Sequence, residues 1–362
     1  MKQKICFFAI DLYDKGGLQR VTIDIANKLA DYCNVHILTF SHPVEKEFPY
    51  KLRDDINVTF IDKPEKSESL SRNLRIVRTI WLVNKYLKKH DFDCFVSVGM
   101  ASIVWTVLPQ LFNRCKYVCW DHTSYLRKES WAKRGRSLSK IFADEIVTLT
   151  HKDAALWHNK KVTVIYNPAP FDFSHADRML LNTYKKNQIV ALGRFVEVKG
   201  FDRLLDIWSI VNKKFDKPFM LRIIGEGPFK EHLEQRIINE RIDHVVIDSF
   251  VNNPGLIYAE SKLQVLTSFY EGLSMVLIEG LIYRIPSISF DVPSGPGEVI
   301  EDCKTGFLIK DDELSIFADK LIDLMSNEKL LQELSDNCLQ SRARFASDNI
   351  LKQWIDLIGE KK

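Results

Sequence analysis

LQVLTSFYEGLSMVLIEG (residues 263–280) joins a short apolar strand to an apolar helix through a loop that carries a glutamate. Met275 to Ile278 follow Ser274 without a polar break, so the helix is expected to be buried most of the way round. Two carboxylates, Glu271 in the loop and Glu279 on the helix, then need partners. An ionised carboxylate taken out of water is costly unless it is paired or hydrogen-bonded. Strand, loop and helix form the repeating unit of a parallel α/β sheet. The same unit recurs on both sides of this stretch.

Upstream, KICFFAI, VHILTF, NVTFID, DCFVSVG, KYVCW, EIVTLT and VTVIY have strand length. They alternate with amphipathic stretches such as GLQRVTIDIANKLADY and LSRNLRIVRTIWLVNKYLKKH. Asn167-Pro168-Ala169-Pro170 interrupts the series as a breaker cluster suited to a linker. The alternation then restarts with QIVALG, FMLRIIG, HVVIDSF, LQVLTS, IPSISF and GFLI. The expectation is α/β: two Rossmann-like, doubly wound domains facing across a cleft, over residues 1–168 and 169–345. Residues 346–362, with the helix SDNILKQWIDLIG, are expected to pack back toward the first domain.

Composition limits the functional classes. With 46% hydrophobic and 27% charged residues in 362, the chain reads as globular, and its length favours two cores over one. No apolar run reaches the length of a membrane span, and MKQKICFFAIDLYDKGG reads as a first strand rather than a cleaved signal. Seven cysteines without metal-type spacing fit a cytoplasmic protein, and Cys115 and Cys119 read as core residues. Residues 1–170 hold 27 Lys and Arg against 18 Asp and Glu, whereas the remainder holds 24 against 30. The basic first half therefore suits an anionic partner.

Ligands of open α/β sheets sit beyond the carboxyl ends of the strands. Gly16 and Gly17 mark the first such turn, where backbone amides can approach an anion, although GxGxxG is absent. ALGRFVEVKGFDRLL places Arg194 and Lys199 in a strand-to-helix loop. A rigid guanidinium fork and a compact ammonium suit a diphosphate, and two solvated surface cations are the alternative. Gly225 and Gly227 in RIIGEGPF allow close backbone approach, to a nucleotide or within a plain turn. Gly272, Leu273 and Ser274 lead into the apolar helix, whose free N–H groups favour an anion. Sugar or ribose hydroxyls would satisfy Glu271 and Glu279, and a structural ion pair would do the same.

Taken together, these motifs resemble a known family. E-x7-E from Glu271 to Glu279, with GRFVEVKG (193–200) upstream and SGPGEVIEDCKTGFLI (294–309) downstream, is similar to the retaining glycosyltransferases of family 4. The likeness is specific across residues 188–310 and looser at the GG turn and the last helix. It implies the GT-B fold and a nucleotide-sugar donor held mainly by the second domain. The phrases YNP, EGLSMVLIEG and SGPGEVI look most like bacterial enzymes that build lipopolysaccharide, capsule or similar surface glycans. By the same resemblance, Arg194 and Lys199 meet the diphosphate, Glu271 the donor sugar and Glu279 the ribose. Gly272, Leu273 and Ser274 form the phosphate loop, Gly16 and Gly17 lie near the diphosphate, and His122 lies near the reacting sugar. Ser274 and Gly280 stand where proline and alanine are common in the family. No metal or other cofactor is expected, and the donor is expected to be a UDP-sugar.

Two basic stretches of the first half concern the acceptor. NLRIVRTIWLVNKYLKKH reads as a solvated helix face. YLRKESWAKRGRSLSKIF, with Arg127, Lys128, Trp131, Lys133, Arg134 and Arg136, interleaves cations with aromatics. That pattern suits an anionic membrane surface, or phosphates on a glycan or lipid-linked acceptor. Nucleic acid is not expected, since no recognition motif occurs. The expected protein is a cytoplasmic, peripherally membrane-associated hexosyltransferase. A nucleotide-sugar epimerase or hydrolase, a non-catalytic sugar-nucleotide binding module and a dehydrogenase are the rivals, the last lacking its glycine fingerprint.

Overall fold

The computed structural model describes all residues except 1, 15, 41–46, 62–71, 128, 159–160, 252 and 360–362. The chain forms two compact units, Met1–Pro168 with Ser347–Lys362, and Ala169–Ala346. The division falls inside the Asn-Pro-Ala-Pro cluster, where prolines cannot extend either sheet or helix.

Unit 1 runs β1 (Lys4–Ala9), α1 (Gly17–Leu29), β2 (Asn34–Phe40), β3 (Asn57–Ile61), α2 (Arg72–His90) and β4 (Cys94–Val98). It continues through α3 (Ile103–Leu111), β5 (Lys116–Trp120), α4 (Ser130–Phe142), β6 (Glu145–Thr148), α5 (His151–Trp157) and β7 (Val162–Val164). The seven strands pair in parallel in the order β3-β2-β1-β4-β5-β6-β7. Strands β1, β4 and β5 are apolar along almost their whole length because helices cover both faces. Cys115 and Cys119 are buried in this core.

Unit 2 opens with α6 (Phe173–Leu181), β8 (Gln188–Leu192), α7 (Phe201–Lys214), β9 (Met220–Ile224), α8 (Lys230–Glu240) and β10 (Val245–Asp248). Then come α9 (Gly255–Glu260), β11 (Leu263–Leu266), α10 (Met275–Ile282), β12 (Ser287–Asp291), α11 (Pro296–Val299), β13 (Gly306–Lys310), α12 (Leu314–Ser326) and α13 (Glu328–Ser341). Six parallel strands take the order β10-β9-β8-β11-β12-β13. Helix α7 shows how sequence sets the packing. Phe201, Leu204, Leu205, Trp208 and Val211 recur at helical spacing and bury one stripe against Ile189, Leu221 and Val265.

The last helix, α14 (Ser347–Gly359), belongs to unit 1. Its Trp354 is fully buried, with ring centroids 4.6 Å from Trp120 and 6.4 Å from Phe7. Lys116 Nζ donates to the Leu357 carbonyl at 2.6 Å, which gives a buried ammonium its acceptor. No helix among the described residues is long and apolar enough to cross a membrane.

Candidate active site

In unit 2 the strand order reverses at β8, which pairs β9 on one side and β11 on the other. The loops leaving β8 and β11 are therefore neighbours at the point where open α/β sheets accept ligands. Backbone and side-chain bonds sew these loops together. Phe269 N donates to the Val198 carbonyl and Thr267 Oγ1 to the Gly200 carbonyl, both at 2.9 Å. Gly200 has φ +63°, and a Cβ there would meet the Thr267 carbonyl at 2.1 Å. Glycine is thus required by both conformation and space.

Arg203, on the first turn of α7, completes the seam. It donates to the carbonyls of Thr267 and of Ser268, the latter at 2.6 Å, and to Asp311 at 2.8 Å. Its guanidinium lies 4.0 and 4.1 Å from the ring centroids of Phe269 and Phe290. Sequence reasoning missed this residue. The available signal was an arginine on the apolar stripe of FDRLLDIW, where a cation must find buried acceptors.

The seam brings predicted residues together. Lys199 Nζ stands 2.7 Å from Glu271 Oε1, and Ser268 Oγ donates to the same oxygen at 2.6 Å. Glu271 Oε2 has no hydrogen-bond partner among the described residues. Glu271 thus finds its charge partner within the chain, with one oxygen left over. Arg194, in the same loop as Lys199, is exposed, and its side chain has no ion-pair or hydrogen-bond partner among the described residues.

Helix α10 follows directly. Ser274 is its N-cap, yet the side chain makes no capping bond. Its Oγ is buried and has no partner among the described residues. The first N–H groups of α10 lack intrahelical acceptors by geometry. Leu273 is buried, and Gly295, at φ +93°, packs its backbone against the Gly272 carbonyl. Glu279 is 6% exposed on α10, and Tyr258 Oη donates to its Oε2 at 2.8 Å. Tyr258 is a second residue that the sequence did not disclose.

Packing within the chain requires glycine at both Gly225 and Gly227. A Cβ on Gly225 would meet the Gly193 carbonyl at 1.9 Å, and one on Gly227 would meet the Phe195 carbonyl at 2.4 Å. The turn after β9 packs directly on the turn after β8, so the chain itself takes up the space.

In unit 1, Gly16 is the N-cap of α1 and Gly17 its first residue, with no side-chain cap and no acidic residue in the first turn. The Gly16 backbone is extended, at φ −134°, so conformation does not demand glycine there. His122 follows β5, its ring centroid 4.1 Å from that of Trp120. Its Nε2 is sealed from solvent without a partner among the described residues, and burial pushes its pKa down to about 3. The ring is thus neutral at neutral pH.

Arg136 corrects the membrane or acceptor reading of its stretch. It is buried and bonded through Nε to Asp121 at 2.9 Å. It also donates to the carbonyls of Tyr125 and Ser124, at 2.9 and 2.8 Å. Its role is to shape the loop that carries His122. Burial raises the pKa of Asp121, against the opposing pull of Arg136. Arg127, Trp131, Lys133 and Arg134 are exposed as expected, with Arg127 paired to Glu129, and Lys128 lies outside the described residues.

Two family models match. "Glycosyltransferase Family 4" covers residues 15–173 and "Glycosyl transferases group 1" covers residues 176–340. The chain belongs to the family 4 glycosyltransferases. This glycosyltransferase is 29% identical over 370 residues to the amylovoran biosynthesis glycosyltransferase AmsD of Erwinia amylovora, covering 98% of this chain and 99% of AmsD. It is 25% identical over 363 residues to an α-1,4-N-acetyl-D-galactosaminyltransferase of Campylobacter jejuni that acts on a PP-undecaprenol-linked glycan, covering 98% of each. Staphylococcus aureus TarM, solved with Fondaparinux, α-GlcNAc-glycerol and UDP, superposes with a TM-score of 0.78 at 16% identity. That match covers 99% of this glycosyltransferase and 100% of TarM, and it shows the shared GT-B fold.

Proposed function

We propose that this glycosyltransferase moves a hexose from a UDP-sugar to a lipid-linked or surface-polysaccharide acceptor, with retention at the anomeric carbon. The observation that carries the reading is the seam at the β8/β11 switch point. It sets a cation with no side-chain partner among the described residues, Arg194, in the same loop as Lys199 of the Lys199–Glu271 pair, with Ser274, which makes no capping bond to α10, following the Glu271 loop. A diphosphate gains negative charge as its bond to the sugar breaks, and preorganised donors stabilise that charge most when it forms. Arg194 supplies a guanidinium fork. Lys199 spends one of its three N–H donors on Glu271 and keeps two. The Val276 and Leu277 amides of α10 and the Ser274 hydroxyl add neutral donors, so the charge is met without a metal ion. Glu271 Oε2 accepts from a sugar hydroxyl, and Glu279 accepts from the ribose. UDP in TarM and the PP-undecaprenol-linked glycan of the Campylobacter relative support the donor and acceptor classes.

The test is turnover of individual UDP-hexoses with a lipid-linked glycan acceptor, run with EDTA present, and proton NMR of the anomeric configuration in the product. Transfer with the donor's configuration kept is the expected result. Inversion would overturn retention, and loss of activity in EDTA would overturn the metal-free reading. Release of free sugar or of an epimer with no acceptor product would point to a hydrolase or epimerase.

A further inference from the structure

Unit 1 carries a surface that the donor chemistry leaves unused. From β3 to β6 each strand connection advances in one direction across the sheet, and right-handed crossovers put α2, α3 and α4 on one side of it. Helix α2 packs on α3, and α3 on α4, so the three form a continuous layer. Their inner faces meet the core through Val83, Leu87, Ile103, Val107 and Ala132.

The outer faces are unusually apolar. On α2, Leu74, Val77 and Trp81 lie at helical spacing, with Val77 62% and Trp81 56% exposed. Leu111 and Phe112, at the end of α3, are 54% and 67% exposed. On α4, Trp131 and Ile141 are 43% and 68% exposed. A layer facing only water has no reason to present two tryptophans and a phenylalanine on adjoining helices.

Charge on the same layer has one sign. Residues 72–90, 103–116 and 130–142 contain no aspartate or glutamate. Arg78, Lys85, Lys88, Lys133 and Arg134 are exposed among the apolar side chains. Lys85 Nζ sits 5.1 Å from the Trp81 ring centroid, and the Arg134 guanidinium 5.6 Å from that of Trp131. The nearest carboxylate at the start of α4, Glu129, is paired with Arg127.

We infer that the outer face of α2, α3 and α4 docks this enzyme on a bilayer containing anionic lipid. Tryptophan rings settle at the headgroup level with the apolar body inward. Lysine and arginine stems lie along apolar surface while their heads meet lipid phosphates. This layer replaces the single stretch around Trp131 as the membrane face, since Arg136 is buried and α2 contributes an apolar stripe of its own. The inference deepens the reading of a lipid-linked acceptor. Vesicle binding is measured without donor or turnover, so the two readings can fail separately.

The test is cosedimentation of the full chain with vesicles of phosphatidylcholine alone and of phosphatidylcholine with phosphatidylglycerol, at low and high salt. The expected result is binding to the anionic vesicles only, weakened by salt. Each of Lys85→Glu and Arg134→Glu should lower partitioning about fivefold or more. Brominated lipid should quench tryptophan fluorescence in the wild type and quench it less in the Trp81→Phe, Trp131→Phe double variant, whose fold is checked by circular dichroism. Equal binding to both vesicle types, no binding to either, or unchanged binding by the charge variants would overturn the inference. So would a dimer in size-exclusion chromatography that the same variants dissociate, because the face would then join two copies of the chain. Loss of turnover on a short soluble acceptor, with vesicle binding intact, would assign the face to the acceptor glycan instead.

Discussion

Arg194 and Glu279 are the side chains on which the donor reading is most exposed to test. The Arg194 side chain makes no hydrogen bond or ion pair among the described residues, so truncating it removes no polar contact of the fold. Arg194→Ala should therefore leave the melting temperature unchanged while lowering kcat roughly 100- to 1,000-fold, the scale for one donor to a developing anion. Steady-state kinetics with a calorimetric melt would check both halves. Glu279 already accepts from Tyr258, and the ribose reading adds a second hydroxyl. Glu279→Ala should weaken UDP binding by about 1–3 kcal/mol, as for a lost hydrogen bond to a charged group. Titration calorimetry on the folded variant would measure it, and unchanged affinity would remove Glu279 from the donor site. His122 makes a prediction about pH. Its pKa is about 3 folded, and an unperturbed histidine titrates near 6.5, so below pH 6.5 the unfolded chain binds the proton first. Stability of unit 1 should fall between about pH 6.5 and pH 3 and should show no such dependence above it. Asp121, with its pKa raised by burial, takes up a proton early and acts in the opposite direction. The measurement is thus the difference in unfolding free energy between wild type and His122→Gln across that range.

At the scale of elements, α14 shows how a distant segment holds the N-terminal sheet. Trp354 fills the space beside Phe7 and Trp120, and its truncation to alanine should cost about 3–5 kcal/mol in the unfolding of unit 1. Urea denaturation followed through that unit would show a shifted midpoint. The strands themselves were legible in the sequence, because each is a short apolar run bounded by turn residues and alternates with a helix of period 3.6. The breaker at Asn167 to Pro170 marked the division between units for the same local reason. Lys199 and Glu271 were both named as site residues, but their direct pairing was hidden, since it arises from two loops 72 residues apart meeting at a strand reversal. Arg203 and Arg136 were hidden for a related reason. A buried arginine and a solvated one look the same in a basic or mixed stretch, and only the neighbouring carbonyls tell them apart. The glycines of RIIGEGPF signal close approach in the sequence, and the Gly193 and Phe195 carbonyls that pack against Gly225 and Gly227 come from a loop the local pattern does not reveal.

For the whole molecule, the two units divide the work by composition. Unit 2, from the acidic half of the sequence, holds Arg194 and Lys199 in the loop that leaves β8, with Lys199 paired to Glu271 just ahead of α10. Unit 1, from the basic half, spreads Lys and Arg over a helical layer free of carboxylates. The proposed diphosphate site belongs to the first arrangement and the proposed anionic-bilayer face to the second. If the seam of unit 2 binds uridine diphosphate, that ligand must raise the melting temperature, because it binds only the folded state. The direct measurement is the melting temperature of the full chain with UDP, GDP, ADP and NAD in turn, each on wild type and on Arg194→Ala. A rise with UDP alone, reduced in the variant, is the predicted result. A rise with NAD, no rise with UDP, or a UDP shift indifferent to Arg194 would contradict it.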